Sequence, residues 1–113
     1  MKSDTSMLKS MSNAYQSRPY VITHYIPEVT FEGDDKKPDF GKMTITFIPN
    51  LKIIELKSLK IYFYQFRNQR YSYERFINVV FNDISDIYEP VYLKVELETN
   101  PRGGISSKLK IEL

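Results

Sequence analysis

Hydrophobic and polar residues alternate over two stretches of the chain, residues 41–49 and 91–98. A period of two is typical of a β-strand with one buried face. The apolar positions of these stretches are Met43, Ile45, Phe47, Val91, Leu93, Val95 and Leu97. Residues 105–113 continue the alternation after the turn sequence NPRGG. The last two stretches therefore predict a β-hairpin whose charged face meets solvent.

Residues 19–26 (PYVITHYI) are rich in β-branched and aromatic side chains and lie between two prolines, which predicts another strand. Pro49 and Asn50 mark a turn, and residues 51–56 predict a short extended return. The polar residues 1–18 are expected to form a flexible arm or a short helix. Residues 19–113 then make up a single domain.

A period of three to four residues replaces the alternation between residues 58 and 88. The first helical stretch has one apolar face: Leu59, Tyr62, Phe63 and Phe66. The second gives the clearest helical pattern in the chain: Tyr73, Phe76, Ile77, Val80, Phe81, Ile84 and Ile87. Ser58 and Ser72 are candidate N-caps, and Pro90 ends the second helix. The order ββααββ predicts an α+β fold with two helices on one face of a four-stranded antiparallel sheet.

The composition excludes several classes of site. The 113 residues include no Cys and one His, so disulfides, thiolate chemistry and a multi-histidine metal site within one subunit are excluded, and no metal is expected. A net charge of +2 gives no support for a nucleic-acid partner. No apolar run reaches membrane-spanning length, and residues 1–17 lack the hydrophobic block of a signal peptide, so a cytoplasmic location is expected.

The aromatic content is unusual, with nine Tyr and seven Phe. Tyr combines a large apolar face with a hydroxyl group and is favoured at half-wet interfaces, which indicates a homo-oligomer. The frequent Lys, Ile and Asn equally fit a low-GC codon bias, and the sequence leaves both explanations open.

The segment ELKSLKIYFYQFRN, residues 55–68, resembles the signature of the QueF family, the NADPH-dependent 7-cyano-7-deazaguanine reductases of queuosine biosynthesis. Three further stretches resemble the family in the same order: PEVT at 27–30, PDFG at 38–41 and PRGGIS at 101–106. The resemblance implies the tunnelling fold, which agrees with the ββααββ order. It also implies a barrel assembled from several subunits, with active sites at the subunit interfaces.

The chemistry that the resemblance implies needs a thiolate. In the family, a Cys attacks the nitrile carbon to form a thioimidate, an Asp relays a proton, and NADPH supplies two hydrides. Asp39 matches the Asp. The position of the Cys matches Glu32 or, with a shorter loop, Gly33, and neither residue can act as that nucleophile. We therefore do not expect nitrile reduction by the covalent route.

The resemblance also implies roles for other side chains. Glu74 matches the Glu that binds the N–H edge of the base, and Tyr73 stands where relatives have His. The catalytic candidates are thus Asp39, Tyr73 and Glu32. The remaining assignments are Glu74, Glu55 and Ser58 for the substrate, and Lys57, Lys60, Arg67 and Arg102 for NADPH.

Simpler interpretations stay open for these residues. Asp39 fits an ordinary turn residue after Pro38. Glu74 fits a first-turn acid that is favoured by the helix dipole. The cations fit a solvated helix face or, for Arg102, a hairpin turn. Glu32 belongs to an acidic loop and could lie close enough to Asp39 for the two carboxylates to shift each other's pKa.

Two functions follow from the sequence. The first is a QueF-like reductase that binds a purine- or deazapurine-type base and NADPH, and that reduces a C=N bond needing no covalent activation. The alternative is a catalytically inactive base-binding or partner subunit of the tunnelling fold. A different tunnelling-fold chemistry, such as hydrolysis or group transfer on a purine-type ring, is a third possibility, and a single His disfavours its metal-dependent versions.

Overall fold

The computed structural model describes residues 3–32 and 38–113. Within these residues the strands are β1 (Ser10–Ser12), β2 (Ile22–Glu32), β3 (Pro38–Ile48), β4 (Lys52–Ile54), β5 (Tyr92–Thr99) and β6 (Lys108–Glu112). The α-helices are α1 (Leu56–Tyr64) and α2 (Tyr73–Tyr88). A 3-10 turn over Gln65–Asn68 extends α1. In the part of the chain that the structure describes, neither helix has the length and hydropathy needed to cross a membrane.

Four strands form one antiparallel sheet in the order β2-β3-β5-β6. The alternating apolar side chains of β3 and β5 are buried under the helices: Met43, Ile45, Phe47, Leu93, Val95 and Leu97. The apolar stripe of α2 meets them through Phe76, Ile77, Val80, Phe81 and Ile84. The predicted α+β architecture, with both helices on one face of a four-stranded sheet, is confirmed.

Strand β2 does not stop at Pro27, as the sequence analysis expects, but continues to Glu32. The pairing with β3 shifts register between Ile26 and Val29, which marks a bulge around the proline. Proline is tolerated there because β2 is an edge strand and a bulge interrupts the ladder. The extension carries the chain to the side of the helix layer where α2 begins.

The N-terminal segment, expected to be a flexible arm, is instead packed on the domain from residue 3 onwards. Ser10–Ser12 pairs antiparallel with β4, and Leu8 is buried in the core. The side-chain amide of Asn13 donates to the carbonyl of Asn50 at 2.8 Å. Burying one Leu contributes about 1.5–3 kcal/mol, which favours the packed segment over a solvated arm.

The predicted cap of the first helix is wrong, whereas that of the second is confirmed. Helix α1 begins at Leu56, and Glu55 is its N-cap, accepting from the backbone N–H groups of Lys57 and Ser58 at 3.2 and 2.9 Å. In α2, the Ser72 hydroxyl accepts from the N–H of Arg75 at 3.2 Å. A side-chain cap thus fixes the first residue of each helix.

A group of buried rings joins the end of β2 to the start of α2. We call Phe31, Phe66, Tyr71 and Phe76 the aromatic cluster. Phe31 stacks on Phe76 with ring centroids 4.6 Å apart, and Phe66 meets Phe76 edge to face at 5.0 Å. Phe66 also contacts Tyr71 edge to face at 5.3 Å. Each ring is at most 1% exposed, so the N-terminus of α2 is held against the end of β2.

Candidate functional site

Asp39 lies near the beginning of β3, opposite Phe31 in β2. Directly opposed residues of an antiparallel pair point to the same face of a sheet, and Phe31 points into the core. Asp39 therefore lies on the helix-bearing face, near the edge of the core. Its side chain is 26% exposed, so a small molecule can reach it.

Arg102 is the partner of Asp39. The antiparallel register of β3 and β5 places the start of β3 beside the turn that follows β5, where the N–H of Asn100 donates to the carbonyl of Phe40 at 3.0 Å. The Arg102 guanidinium donates to a carboxylate oxygen of Asp39. The structure therefore brings Arg102, expected among the cofactor residues, to the catalytic candidate.

The backbone favours glycine in two of the motifs that resemble the family, PDFG at 38–41 and PRGGIS at 101–106. A Cβ on Gly41 would lie 2.8 Å from the carbonyl oxygen of Glu98, so only Gly allows β3 to lie this close to β5. Gly103 and Gly104 have φ angles of 59° and 81°, which favour glycine in the turn after Arg102. These residues keep Asp39 and Arg102 adjacent.

The backbone of Glu32 connects β2 to the segment before α2. Its N–H donates to the carbonyl of Gln69 at 3.0 Å, and its carbonyl accepts from the N–H of Tyr71 at 2.8 Å. Because Glu32 pairs with Pro38, its side chain points to the sheet face opposite that of Asp39. This register places the two carboxylates on opposite faces of the sheet, so the proximity that the sequence left possible is not found. Residues 33–37, which include the alternative nucleophile position Gly33, lie outside the described residues.

The N-terminus of α2 presents polar side chains next to this connection. Tyr73 and Glu74 are exposed in the first turn, immediately after the Ser72 cap. The Arg75 guanidinium lies 4.7 Å from the ring of Tyr71. We call Asp39, Glu74 and Arg102 the polar rim: all three are partly or fully exposed, Asp39 is opposite Phe31 in the sheet, Arg102 binds Asp39, and Glu74 lies in the helical turn before Phe76.

A separate cleft of about 350 Å³ lies between β2 and α1. The cleft is lined by Lys60, Tyr64 and Arg67. Leu59 and Phe63 form an apolar wall. The Arg67 guanidinium stacks over the Tyr64 ring at 4.5 Å, and the Lys60 ammonium is 6.0 Å from the same ring. Two of the four predicted cofactor residues thus meet here, together with a tyrosine that the sequence analysis did not assign. Tyr64 lies four residues after Lys60 and three before Arg67, and this helical spacing could have indicated from the sequence that the three side chains are neighbours.

A family model described as QueF-like protein matches residues 38–113, which carry Asp39, both helices and the β5–β6 hairpin. The chain belongs to the QueF-like family. Among similar curated proteins, the NADPH-dependent 7-cyano-7-deazaguanine reductase of Oceanobacillus iheyensis is 40% identical over 101 residues, covering 88% of this chain and 61% of that protein. The reductase of the same name from Staphylococcus haemolyticus is 38% identical over 104 residues, with the same coverage. The QueF-like chain thus spans about three-fifths of the length of these relatives.

A solved structure supports the fold of the QueF-like chain. The archaeosine synthase QueF-Like in its apo form superposes with a TM-score of 0.77 at 14% identity, over 84% of this chain and 94% of that one. At this identity the likeness concerns the fold alone, and it confirms the tunnelling fold that the sequence predicts.

Two residues of the family signature make contacts within the QueF-like chain itself. Glu55 uses both carboxylate oxygens to cap α1. Ser58 is 3% exposed. Its hydroxyl accepts from the N–H of Lys9 at 3.0 Å and donates to the carbonyl of Glu55 at 2.7 Å. Glu55 and Ser58 therefore both stabilise the start of α1. Their contact with a substrate stays a prediction.

His24 packs against the core of the sheet. It opposes Ile45 on the core-facing side of β2, and its ring is 5.8 Å from that of Phe47. Burial lowers the pKa of His24 from its ordinary value, so the imidazole is neutral at pH 7. Among the described residues, no three His, Asp or Glu side chains gather as a metal ion would require.

Proposed function

We propose that this QueF-like chain binds a purine- or 7-deazapurine-type base together with NADPH and reduces a C=N bond of a related heterocycle. One observation carries the proposal. The Asp39–Arg102 pair and the first turn of α2 lie at the same end of the sheet, where the backbone of Glu32 and the aromatic cluster connect them. The names of the curated relatives support both the base and NADPH.

Glu74 provides the base recognition in this proposal. Its side chain is exposed at the start of a helix whose position is fixed by the aromatic cluster. A carboxylate can accept two parallel N–H bonds from a guanine-like edge, and charge-assisted pairs of this kind are strong and geometrically selective. The rigid support beneath Glu74 lowers the cost of orienting it.

Asp39 provides the proton. When bound, NADPH would supply the hydride that the carbon of the C=N bond needs. Asp39 would relay a proton from solvent to the nitrogen, so that the double bond becomes a single C–N bond with one new hydrogen on each atom. Arg102 orients the carboxylate through its hydrogen bond.

Cationic groups suited to the cofactor are present on this chain. Lys60 and Arg67 line the cleft beside α1, and Lys57 is exposed one turn earlier on the same helix. Phosphate groups require such donors, and Arg adds a planar fork that can bind a phosphate through two N–H groups. The residues therefore fit NADPH, and they would hold its phosphates.

The absence of cysteine restricts the substrate. A nitrile is a poor hydride acceptor until a thiolate converts it to a C=N unit, and this chain of 113 residues has no thiol. We therefore propose a substrate in which the C=N bond already exists. The same absence favours the second candidate, an inactive base-binding or partner subunit, over reduction of 7-cyano-7-deazaguanine itself.

Calorimetry of the purified chain with 7-cyano-7-deazaguanine and with NADPH tests the proposal. We expect both to bind, and Glu74→Gln to weaken the base by about tenfold or more, since a hydrogen bond to a charged group contributes about 1.5–3 kcal/mol. Asp86→Asn, which removes an exposed carboxylate from the same helix, is the matched control and should leave the base affinity unchanged.

The outcomes separate the two candidates. Binding of the base without NADPH indicates the inactive subunit, whereas binding of neither overturns both. Mass spectrometry of the chain after incubation with 7-cyano-7-deazaguanine should show no covalent adduct. An adduct would contradict the argument from the missing thiol.

A further inference from the structure

The cleft between β2 and α1 combines an aromatic ring with two cations. Tyr64 is 43% exposed, and its ring lies under the Arg67 guanidinium at 4.5 Å. The Lys60 ammonium approaches the same ring at 6.0 Å. Stacking of Arg on an aromatic face keeps the N–H groups at the edge of the guanidinium plane available for a phosphate.

The charge of the cleft favours an anion. Its charged lining consists of Lys60, Arg67 and Glu28. His24 also lines the cleft, and burial lowers its pKa, so it adds no charge at neutral pH. Two cations against one carboxylate leave the cleft positive, while Leu59 and Phe63 keep its inner wall apolar.

We infer that this cleft binds the adenosine half of the dinucleotide, with Tyr64 stacking on the adenine and with Arg67 and Lys60 binding a phosphate. The inference rests on the proposed use of NADPH. The volume of the cleft, about 350 Å³, lies within the range of sites for small organic ligands. Tyr64 is the new element, because the family signature points to the cations and not to this ring.

The inference divides the cofactor residues into two groups. Lys60 and Arg67 serve the adenosine end, whereas Arg102 serves Asp39 at the polar rim. Because Arg binds phosphate through a fork of N–H groups, Arg67 is the residue that distinguishes a phosphorylated ribose from an unmodified one. Removing it should reduce the preference for NADPH over NADH.

The probe for the experiment is 2′,5′-ADP, which carries the adenine and phosphates but no nicotinamide. We expect it to bind the wild-type chain in calorimetry. Tyr64→Ala and Arg67→Gln should each weaken it by roughly tenfold, in line with about 1–3 kcal/mol for base stacking on an aromatic ring or for a charge-assisted hydrogen bond. Tyr64→Phe keeps the ring and should retain the affinity.

Two further variants give signed controls. Glu28→Gln removes the carboxylate of the cleft and should strengthen 2′,5′-ADP binding by a few-fold, because a repulsion is lost. Lys110→Gln removes an exposed cation from β6 and should change nothing. A parallel titration with 5′-ADP, which lacks the 2′-phosphate, should show no loss of affinity in Arg67→Gln. An equal loss for both probes would overturn the assignment of Arg67 to the 2′-phosphate.

The inference and the proposed function fail in different ways. If NADPH binds normally and the affinity for 2′,5′-ADP is unchanged in both Tyr64→Ala and Arg67→Gln, the adenosine half binds elsewhere and the inference is overturned. If wild-type protein binds neither NADPH nor 2′,5′-ADP, the use of NADPH is overturned together with the inference. Circular dichroism of each variant confirms that a loss of affinity is not a loss of fold.

Discussion

The aromatic cluster and the polar rim lie at the same end of the molecule but differ in almost every physical property. The four rings of the cluster are at most 1% exposed, and their contacting pairs have centroids 4.6–6.3 Å apart. In the rim, the side chains of Asp39 and Arg102 are 26% and 50% exposed, and Glu74 is exposed. The cluster supplies fixed geometry, and in the proposed function the rim supplies the chemistry that this geometry positions. Variants in the two regions should therefore move different measurements.

The largest effect on stability is expected in the cluster. Phe76→Ala removes a ring that contacts Phe31, Phe66 and Tyr71 and leaves a cavity between β2 and α2. Such a change costs about 3–5 kcal/mol of the free energy of unfolding, which urea denaturation measures. Phe76→Leu retains most of the apolar volume and should cost less. A loss below about 1 kcal/mol in Phe76→Ala would contradict the role given to the cluster.

Ser58 tests the difference between buried and exposed polar residues. The family resemblance implies that it contacts the substrate, whereas the structure shows it buried in the domain. Ser58→Ala removes the acceptor for the N–H of Lys9 and the donor to the carbonyl of Glu55. Leaving a buried polar group without a partner costs about 1–3 kcal/mol, so urea denaturation should show a loss of this size. The same variant tests the substrate contact that the resemblance implies, because a Ser58 that serves the fold alone leaves the affinity for 7-cyano-7-deazaguanine unchanged. Lost base affinity with unchanged stability would support the substrate contact that the resemblance implies for Ser58.

The sequence predicts the parts of the fold in which burial follows a regular period. The alternation in β3 and β5 and the stripe on α2 each match a buried face, so the elements and their layers could be read directly. Strand β1 could not be predicted in this way, because its three residues are all exposed and its pairing with β4 involves no buried face of β1. The continuation of β2 past Pro27 depends on a bulge, which leaves no periodic signal.

The candidate site shows the same division. The motif around Asp39 identifies the residue, but Arg102 follows it by 63 positions and meets it only through the register of β3 and β5. Tyr64 carries no motif and becomes notable only when Lys60 and Arg67 are seen to approach its ring. Residue types can be recognised in the sequence, whereas their partners depend on tertiary pairing.

Alkaline pH tests a polar contact within the helix layer. Tyr62 is fully buried and donates to a carboxylate oxygen of Asp83 at 2.6 Å, and burial together with this hydrogen bond raises its pKa well above 10. The unfolded chain releases the proton near pH 10 while the folded chain retains it. The free energy of unfolding should therefore fall above pH 10, with Tyr62 contributing about 1.4 kcal/mol per pH unit.

Tyr62→Phe isolates this contribution. Its free energy of unfolding should fall less steeply above pH 10, since Tyr71 and Tyr88, whose pKa values burial also raises, still contribute. Tyr15→Phe changes an exposed ring and is the matched control. Equal slopes for wild type and Tyr62→Phe would mean that the hydroxyl is not held as the structure shows.

The smallest effect on stability is expected in the rim itself. Arg102→Gln removes the partner of Asp39, and a partly exposed ion pair of this kind contributes about 0.2–1 kcal/mol at low salt and less as salt screens it. A double-mutant cycle with Asp39→Asn, followed by urea denaturation, measures the coupling between the two residues. A coupling within that range, small beside the loss in Phe76→Ala, would keep Asp39 and Arg102 in a solvated rim. A coupling of about 3 kcal/mol or more would instead be typical of a buried pair, and it would make the Asp39–Arg102 contact part of the structural interior that the aromatic cluster now represents.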